Sequence, residues 1–474
     1  MTSHRFWIAC ALALLASAAA AADRPNVVVI LADDMGYADV SAYRAGRIPT
    51  PNIDRLASEG VRFTDGYVAA PVCSPSRAAL MTGRYQQRFG FEFNNGPAER
   101  DVRQNLGLPK GEITLAGALK PAGYRTALVG KWHLGSNPDF YPTNRGFDEF
   151  FGILTGATLY IDPTLPGVHN FVRPGAARGA ERGAPNEVFT GADRQVVDNF
   201  DKYLTDEFAD RAVDFIQRTA KKEPFFLYLA FNAPHDPLQV TQKYYDRFPH
   251  IENEMQRIYA GMVSAVDDGV GRVLEALAAA GVADDTLVVF LTDNGCAAYY
   301  PGLCSCEPVR GGKLTHFEGG TRVPFIARWP GRFPAGKVYE HPVSSLDIFP
   351  TALAAAGVPL PSDRVYDGVD LAPYLTGANA AEPHSTLYWW RSPMRSVRSG
   401  DWKLWVSEQG DVKLLYDLAS DPNERQNLYD QRPDKVKELS ALLDEWHADK
   451  VPPAWPSRPH TRYEACDASF ELPI

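Results

Sequence analysis

The stretch Val-Val-Val-Ile-Leu-Ala-Asp-Asp-Met-Gly at residues 27–36 joins an apolar, β-branched run to a polar ending. Three later runs have the same form. They are Thr126–Val129, which ends in Gly-Lys-Trp-His-Leu-Gly (130–135), Phe225–Phe231, which ends in Asn-Ala-Pro-His-Asp (232–236), and Leu287–Leu291, which ends in Thr-Asp-Asn-Gly (292–295). Short, continuous apolar runs are typical of buried strands in a parallel sheet. We therefore predict four strands of one sheet.

Long amphipathic patterns lie between these runs, and they predict helices over residues 203–222 and 254–280. Strands that alternate with helices indicate an α/β fold, with a large, mainly parallel sheet sandwiched by helices. Ligands of such sheets bind outside the carboxyl ends of the strands, where all four polar endings fall. Residues far apart in the sequence are therefore expected to meet in one pocket.

The pattern changes after Gly377. Strand-like pieces at Thr386–Trp390, Arg395–Val406 and Val412–Leu418 precede a helical pattern over residues 433–450. We predict a smaller C-terminal α+β subdomain, built on a short antiparallel sheet, over residues 378–474. Residues 23–377 then form the large N-terminal domain. Within it, residues 157–193 are rich in Gly, Ala, Pro and Arg, and they predict a long excursion over the surface.

The first 22 residues have the pattern of a secretory signal peptide. His4 and Arg5 precede an apolar run to Leu15, and an Ala-rich end offers cleavage after Ala20 or Ala22. We expect a secreted or periplasmic protein, with no membrane span after the signal peptide is removed; an uncleaved anchor is the less favoured alternative. The net charge of −10 argues against nucleic acid as a partner.

Residues 73–84 read Cys-Ser-Pro-Ser-Arg-Ala-Ala-Leu-Met-Thr-Gly-Arg, a segment punctuated by Pro and Gly at the start of a helical pattern. A lone cysteine is more often a small buried apolar residue than a reactive one. This segment, however, closely resembles the signature of the formylglycine-dependent sulfatases of the alkaline phosphatase superfamily. The resemblance implies that a formylglycine-generating enzyme oxidises Cys73 to an aldehyde. The hydrate of that aldehyde then attacks sulfur and forms a covalent sulfate hemiester.

Two polar pairs, Asp33 with Asp34 and Asp293 with Asn294, follow the first and the last predicted strand. Taken alone, each pair also suits a helix cap or a turn. Together they offer hard oxygen ligands, which calcium or magnesium prefers over zinc or copper. The resemblance implies that these four residues and the modified Cys73 hold one divalent cation, usually calcium.

Four more residues match sulfatase positions, although each also has an ordinary interpretation as a surface or loop residue. They are Lys131 and His133 in Gly-Lys-Trp-His-Leu-Gly, His235 in Ala-Pro-His, and Lys313 in the Gly-rich loop that continues to Glu-Gly-Gly at 318–320. The resemblance implies that the two lysines stabilise charge on the transferred sulfuryl group. It also implies that His235 is the general acid and His133 the base.

Three arginines complete the predicted site. Arg77, in the cysteine motif, is expected to brace the hydrate and to offset nearby carboxylate charge. Arg310 and Arg322, in the Gly-rich loop, are predicted substrate contacts. The sequence thus predicts a calcium-dependent sulfatase that acts on a sulfated small molecule or glycan, with a sulfated carbohydrate or polysaccharide preferred. The alternatives are a phosphatase or phosphonate ester hydrolase of the same superfamily, and a non-catalytic, glycan-binding relative.

Cys10 belongs to the predicted signal peptide, and Cys73 belongs to the motif at 73–84. The four other cysteines are Cys296, Cys304, Cys306 and Cys466. In an oxidising compartment they permit two disulfides, with three connectivities that the sequence does not distinguish. A metal cluster is less favoured, because the His ligands and the spacing of a zinc motif are missing.

Overall fold

The computed structural model describes residues 24–472, apart from positions 45, 47, 172–186, 198–200, 306 and 458–460. The predicted signal peptide therefore lies outside the described residues. The strands are β1 Asn26–Ala32, β2 Val61–Phe63, β3 Gly66–Tyr67, β4 Arg125–Lys131, β5 Glu149–Ile153, β6 Val168–Phe171, β7 Val188–Thr190, β8 Gln195–Val197, β9 Phe225–Ala230, β10 Leu238–Thr241, β11 Thr286–Thr292, β12 Phe325–Arg328, β13 Lys337–Tyr339, β14 Val343–Ser344, β15 Thr386–Arg391, β16 Met394–Ser399, β17 Trp402–Ser407, β18 Lys413–Asp417, β19 Thr461–Ala465 and β20 Ala468–Leu472.

The α-helices of the described residues range from one turn to seven turns in length. They are α1 Pro51–Ser58, α2 Cys73–Thr82, α3 Ala98–Gln104, α4 Leu115–Leu119, α5 Leu204–Thr219, α6 Gln242–Tyr245, α7 Glu254–Ala279, α8 Glu318–Thr321, α9 Ile348–Ala355, α10 Ala372–Leu375 and α11 Pro433–His447. The two long helices predicted between the strands are present as α5 and α7. None of the described helices is both long enough and apolar enough to cross a bilayer.

A ten-stranded sheet lies at the centre of the structure, in the order β13-β2-β12-β11-β1-β9-β4-β5-β7-β8. Its central strands, β11, β1, β9, β4 and β5, all run parallel to their neighbours within this group. On one side of this group, β12 pairs with β11, and on the other side β7 pairs with β5. Both of these pairs are antiparallel. The four strands predicted from the apolar runs are central, and the prediction of a mainly parallel sheet is confirmed.

The strand β1 is buried along its length, and its side chains alternate between two apolar layers. Val28 packs in the layer that contains Phe208 of α5 and much of α7. Val29 packs in the opposite layer, with Leu115 of α4. Because helices cover both faces of the sheet, the strand is continuously apolar and does not alternate with polar residues.

The C-terminal part contains a separate four-stranded antiparallel sheet, in the order β15-β16-β17-β18. Leu439 and Leu443 of α11 pack against one face of it, on Val397 and Leu404. The predicted antiparallel unit is thus confirmed, but the strand predicted over 395–406 is two strands, β16 and β17, because the chain turns at Gly400 with a positive φ. The domain boundary after residue 377 stays a prediction; it falls between α10 and β15.

The excursion predicted over residues 157–193 contains two short strands. Strand β6 pairs with β10, and β7 extends the main sheet along β5. The sequence did not indicate these strands, because segments of three or four residues are too short to show a clear periodicity. Residues 172–186 of the excursion lie outside the described part of the chain.

A buried ion pair lies where the chain passes from the large sheet to the C-terminal sheet. Nε2 of His384 is 2.7 Å from Oδ1 of Asp347, whose side chain is fully buried. Burial alone would lower the pKa of His384, but Asp347 raises it above its usual value. Protonated His384 therefore stabilises the folded state below the usual histidine pKa, and this stabilisation is lost as the pH rises through the folded-state pKa.

We predict that His384→Gln lowers the free energy of unfolding most below about pH 6.5, where the unfolded histidine is also protonated. The difference from the unsubstituted protein should shrink as the pH rises. Denaturant titrations at several pH values measure it, with His250→Gln, at an exposed histidine, as the control. A difference that grows with pH would contradict this account of the pair.

Candidate active site

Polar residues from four central strands meet at the carboxyl edge of the main sheet. Asp33 follows β1, Lys131 ends β4, His235 follows β9 and Asp293 follows β11. Helix α2 begins at Cys73, which is buried beside them. The parallel topology therefore gathers side chains that are up to 260 positions apart in sequence, such as Asp34 and Asn294.

Cys73 lies directly against two of these acids. Its Sγ is 3.5 Å from Oδ1 of Asp33 and 4.0 Å from Oδ1 of Asp34. Together with His235, these three residues offer ligand atoms that all lie within 4.8 Å of one another, a group that can hold a metal ion. Burial raises the pKa of the Cys73 thiol far above its usual value, so the unmodified thiol would be protonated and poorly nucleophilic.

Each buried carboxylate of the cluster has a cationic partner. Nζ of Lys131 is 2.5 Å from Oδ2 of Asp33, and Nζ of Lys313 is 2.8 Å from Oδ2 of Asp34. Nη2 of Arg77 is 2.8 Å from Oδ2 of Asp293. The acids are Asp33, Asp34 and Asp293, and the bases are Arg77, Lys131 and Lys313. Three carboxylates thus face three cations.

The pairs at Asp33 and Lys313 shift the protonation equilibria in the directions that charge predicts, whereas burial and the neighbouring Asp33 raise the pKa of Asp293 to about 6. Burial alone would raise the pKa of Asp33, but Lys131, His235 and Arg77 hold it well below its usual range. Burial alone would lower the pKa of Lys313, but Asp34 keeps it well above its usual value. Asp33 is therefore ionised and Lys313 protonated at neutral pH.

The chemistry of the donor set fits a hard divalent cation. Nδ2 of Asn294 donates to Oδ1 of Asp34 at 2.7 Å, which leaves Oδ1 of Asn294 buried and, among the described residues, without a hydrogen-bond donor. Such an oxygen is costly to bury unless a cation or a donor satisfies it. Asp293 lies beside this group, since its Oδ1 accepts a hydrogen bond from the backbone N–H of Asp34 at 3.3 Å. The predicted ligand residues are therefore brought together.

The imidazole of His235 is oriented by backbone carbonyls. Its Nδ1 lies 2.6 Å from the carbonyl oxygen of Asp236. Because a carbonyl oxygen can only accept, Nδ1 carries the proton, and Nε2, 3.6 Å from Oδ2 of Asp34, faces the cluster. The hydroxyl of Tyr160 lies 2.5 and 2.8 Å from the carbonyl oxygens of Asn232 and His235, so it braces this turn.

His133 has a different electrostatic environment. Its side chain is buried, and its backbone is in the left-handed region, with φ of 56°. Burial, followed by the charges of Lys131 and Arg77, lowers the pKa of His133 well below its usual value. The imidazole is therefore neutral near pH 7 and has a lone pair available to accept a proton.

Glycines allow the loop that carries Lys313 to pack closely against residues 293–296, which follow β11. A Cβ on Gly295 would lie 1.7 Å from the carbonyl oxygen of Gly319, and one on Gly320 would lie 2.0 Å from that of Thr315. The backbone N–H of Lys313 donates to the carbonyl of Cys296 at 2.8 Å. The Gly-rich sequence is therefore a requirement of close backbone packing at this site.

The two arginines predicted to contact substrate lie elsewhere. Arg310 donates to two backbone carbonyls in the turn between β19 and β20, at 3.0 and 2.9 Å. Arg322 pairs with Asp65 at 3.3 Å and with Glu318 at 3.5 Å. Both guanidinium groups are engaged in linking segments of the fold, and the structure does not bring them to the cluster.

One disulfide adjoins the site. Cys296, three residues after Asp293, is bonded to Cys304. Cys466 is also disulfide-bonded, whereas Cys306 lies outside the described residues. Cys73 is a free, buried cysteine. The disulfide closes the loop whose Cys296 carbonyl accepts the hydrogen bond from Lys313.

Comparison with known proteins agrees with this geometry. The model of the family described as Sulfatase matches residues 25–358. The chain belongs to the sulfatase family. It is accordingly a sulfuric ester hydrolase of the alkaline phosphatase superfamily, as the cysteine motif predicted. A second model, described as N-sulphoglucosamine sulphohydrolase, C-terminal, matches residues 312–449.

Individual sulfatases resemble the chain over most of its length. N-acetylgalactosamine-6-sulfatase of Rattus norvegicus is 37% identical over 462 residues, covering 88% of this chain and 83% of the relative. Arylsulfatase A of Homo sapiens is 34% identical over 448 residues, covering 87% and 85%. Ps i-CgsB, in its crystal structure in complex with k-i-k-neocarrahexaose, is 35% identical in sequence to this chain. The two structures superpose with a TM-score of 0.81 over 91% of this chain and 94% of that chain.

Sequence reasoning missed two residues that support the histidines, Tyr160 and Gly156. Gly156 packs against the ring of His133, and a Cβ there would lie 2.8 Å from Cε1 and 3.0 Å from Nε2 of His133. Both residues belong to the irregular stretch after β5. The pattern of that stretch gave no indication of what it contacts.

We predict that Gly156→Ala lowers the kcat for sulfate release by up to about 100-fold, because the new methyl group displaces the imidazole of His133. The thermal unfolding temperature should change little, since the ring can swing away. Gly111→Ala is the matched control, because a Cβ at Gly111 has no atom within 4 Å. An unchanged kcat for Gly156→Ala would show that the position of His133 does not limit turnover.

Proposed function

We propose that this protein is an exported, calcium-dependent sulfatase that hydrolyses sulfate esters of a sulfated carbohydrate or polysaccharide, after oxidation of Cys73 to formylglycine. The observation that carries the proposal is the position of Cys73. It lies against Asp33 and Asp34 at the strand ends, in a cluster that also contains Lys131 and Lys313. The glycan preference is supported by the relatives, since one is named for N-acetylgalactosamine and another was crystallised with k-i-k-neocarrahexaose.

The charge balance of the cluster explains how an acidic protein can attract an anionic ester. The whole chain has a net charge of −10, which repels sulfate esters at long range. At the cluster, the three carboxylates are already matched by three cations. A divalent cation bound there would make the site locally positive, and attraction would come from the site itself.

The ion would be held by Asp33, Asp34, Asp293, Asn294 and the modified residue 73. Calcium is the ion that this set favours, because five residues would offer oxygen ligands in a ligand-rich shell, whereas magnesium usually keeps several waters and takes only one or two carboxylates. When bound, it supplies Lewis-acid stabilisation of negative charge. The unpartnered Oδ1 of Asn294 is the atom that most specifically supports this assignment.

In this proposal, Lys131 and Lys313 bind the sulfuryl oxygens. Lys131 and Lys313 both carry their ammonium groups into the buried cluster, on Asp33 and Asp34. Charge that develops on the sulfuryl group during transfer is stabilised best by cations that are already in position. Arg77 orients Asp293 and the backbone at Lys131 relative to each other. Its Nε donates to Asp293 at 2.9 Å, and its Nη1 donates to the carbonyl of Lys131 at 2.9 Å.

The two histidines are suited to opposite proton transfers. In His235, the carbonyl of Asp236 fixes the proton on Nδ1, so Nε2 is the nitrogen that can exchange a proton with a leaving oxygen. His133 is neutral at working pH because burial and nearby cations lower its pKa. We therefore assign His235 as the general acid and His133 as the base that deprotonates the hydrate for release of sulfate.

Modification of Cys73 should decide activity. We predict that protein produced with a formylglycine-generating enzyme releases sulfate, whereas protein of the same sequence with an intact thiol does not. The mass of the tryptic peptide that ends at Arg77 reports the modification, and sulfate release is measured on the same preparations. Because both preparations share one sequence, the comparison isolates the chemistry of residue 73.

The substrate panel for this assay contains defined sulfated oligosaccharides, an aryl sulfate and an aryl phosphate. We expect the largest kcat/KM on a sulfated oligosaccharide. Faster turnover of the phosphate would favour a phosphatase, and activity confined to the aryl sulfate would contradict the glycan assignment. Retention of a sulfated glycan by modified protein that releases no sulfate would favour the glycan-binding alternative.

Calcium binding can be measured independently of turnover. We predict that calcium at about 100 times its Kd raises the free energy of unfolding by about 2.7 kcal/mol. Asn294→Leu, which removes the unpartnered oxygen at similar size, should lose most of this increase. Magnesium at the same concentration is the control ion. A similar increase with magnesium, or an undiminished calcium effect in Asn294→Leu, would contradict the assignment.

A further inference from the structure

Arg391, the last residue of β15, is an unusual buried cation. Its side chain is only 2% exposed, and its Nε and Nη1 have no hydrogen-bond partner among the described residues. No carboxylate of the described chain forms an ion pair with it. Burial lowers its pKa to about 9, so it is still charged at neutral pH. Burying an unpaired guanidinium destabilises a fold, which indicates that Arg391 is present for another reason.

Among the described residues, the side chain of Arg391 makes one hydrogen bond, and its acceptor lies on the loop that carries Lys313. Its Nη2 donates to the carbonyl oxygen of Leu314 at 2.8 Å, in a fully buried contact. Leu314 has a φ of 80°, which is unfavourable for a leucine. Its backbone N–H donates to the carbonyl of Pro71 at 2.8 Å, two residues before Cys73. The strained residue is thus held from two sides.

The residue before Leu314 is Lys313, whose ammonium group reaches Asp34 at 2.8 Å. The backbone of Lys313 is fixed on one side by its hydrogen bond to the carbonyl of Cys296. On the other side, its direction depends on the peptide geometry of Leu314. Release of the Leu314 carbonyl would allow that residue to relax toward a negative φ. This relaxation would strain the two hydrogen bonds, from the N–H groups of Lys313 and Leu314, that aim the Lys313 side chain at the cluster.

We propose that Arg391 is a positioning residue: it holds Leu314 in its left-handed conformation so that Lys313 points at the reacting group. Packing supports this arrangement. Leu314 shares one apolar cluster with Val72, which precedes Cys73, and with Met394, which follows Arg391 across the β15–β16 turn. The C-terminal sheet therefore contributes to catalysis through the hydrogen bond from Arg391 to Leu314. Only the kinetic test of this inference rests on the proposed function.

The test compares Arg391→Met, Arg391→Lys and the control Arg432→Met. Arg432 belongs to the same C-terminal unit, and its guanidinium pairs with Asp434 at the surface. We expect Arg391→Met to lower kcat by about 10- to 100-fold, as for other residues that orient a catalytic group, with KM changed much less. Its unfolding temperature should be unchanged or higher, because the substitution removes an unpaired buried charge.

Arg391→Lys should recover much of the kcat lost in Arg391→Met, because a lysine keeps one donor for the Leu314 carbonyl. The control should match the unsubstituted protein in kcat and unfolding temperature. Wild-type kcat in Arg391→Met overturns the proposal. So does an Arg391→Met protein that unfolds or loses unfolding temperature in step with activity, because that outcome assigns Arg391 a purely structural role.

A crystal structure of Arg391→Met gives a readout that does not depend on turnover. We expect the Leu314 peptide to rotate and Nζ of Lys313 to leave Asp34. An unchanged 2.8 Å contact between Lys313 and Asp34 overturns the inference, whatever the kinetics show. If the unsubstituted protein releases no sulfate, the proposed function fails, while this structural comparison still decides whether Arg391 positions Lys313.

Discussion

The arrangement of the site depends on the burial of three carboxylates at the carboxyl ends of β1 and β11. An unpaired carboxylate in such a place would cost several kcal/mol, so each requires a cation from another segment. Arg77 arrives on α2, Lys131 at the end of β4 and Lys313 on the Gly-rich loop. Charge compensation therefore brings the cysteine helix and the distal loop to the same edge of the sheet. Cys73 occupies its position as a consequence.

Much of this arrangement could be predicted from sequence, because the decisive signals are local. Continuous apolar runs identified β1, β4, β9 and β11, and the shared edge of parallel strands brought their polar endings together. The contacts of Arg310 and Arg322 could not be predicted, because their partners lie in segments distant in sequence. Gly156 and Tyr160 were missed for the same reason: their roles arise from contact with His133 and with the turn at His235.

The Gly-rich loop shows why a local interpretation was incomplete. Gly-Gly pairs are compatible with a simple turn, and that interpretation was reasonable for residues 311–312 and 319–320. In the structure, the closest approaches at Gly312, Gly319 and Gly320 are to backbone oxygens of Cys296 or of the loop itself, whereas Gly311 meets side-chain atoms of the loop. A side chain at Gly295 would collide with the carbonyl of Gly319, and one at Gly320 with that of Thr315. The glycines therefore allow the close backbone packing of the loop whose Lys313 reaches Asp34.

The C-terminal sheet supports the same loop at a second point. Lys403 of β17 is 2.7 Å from Glu318 and 3.1 Å from Glu424, and all three side chains are buried. Burial raises the pKa of Glu424 to about 7, whereas Lys403 helps to keep Glu318 ionised. Glu318 begins α8, five residues after Lys313, and Arg391 binds the residue just after Lys313. The C-terminal unit thus anchors the loop that carries Lys313 at two points, Leu314 and Glu318. These contacts join the antiparallel sheet physically to the cluster at the carboxyl edge of the main sheet.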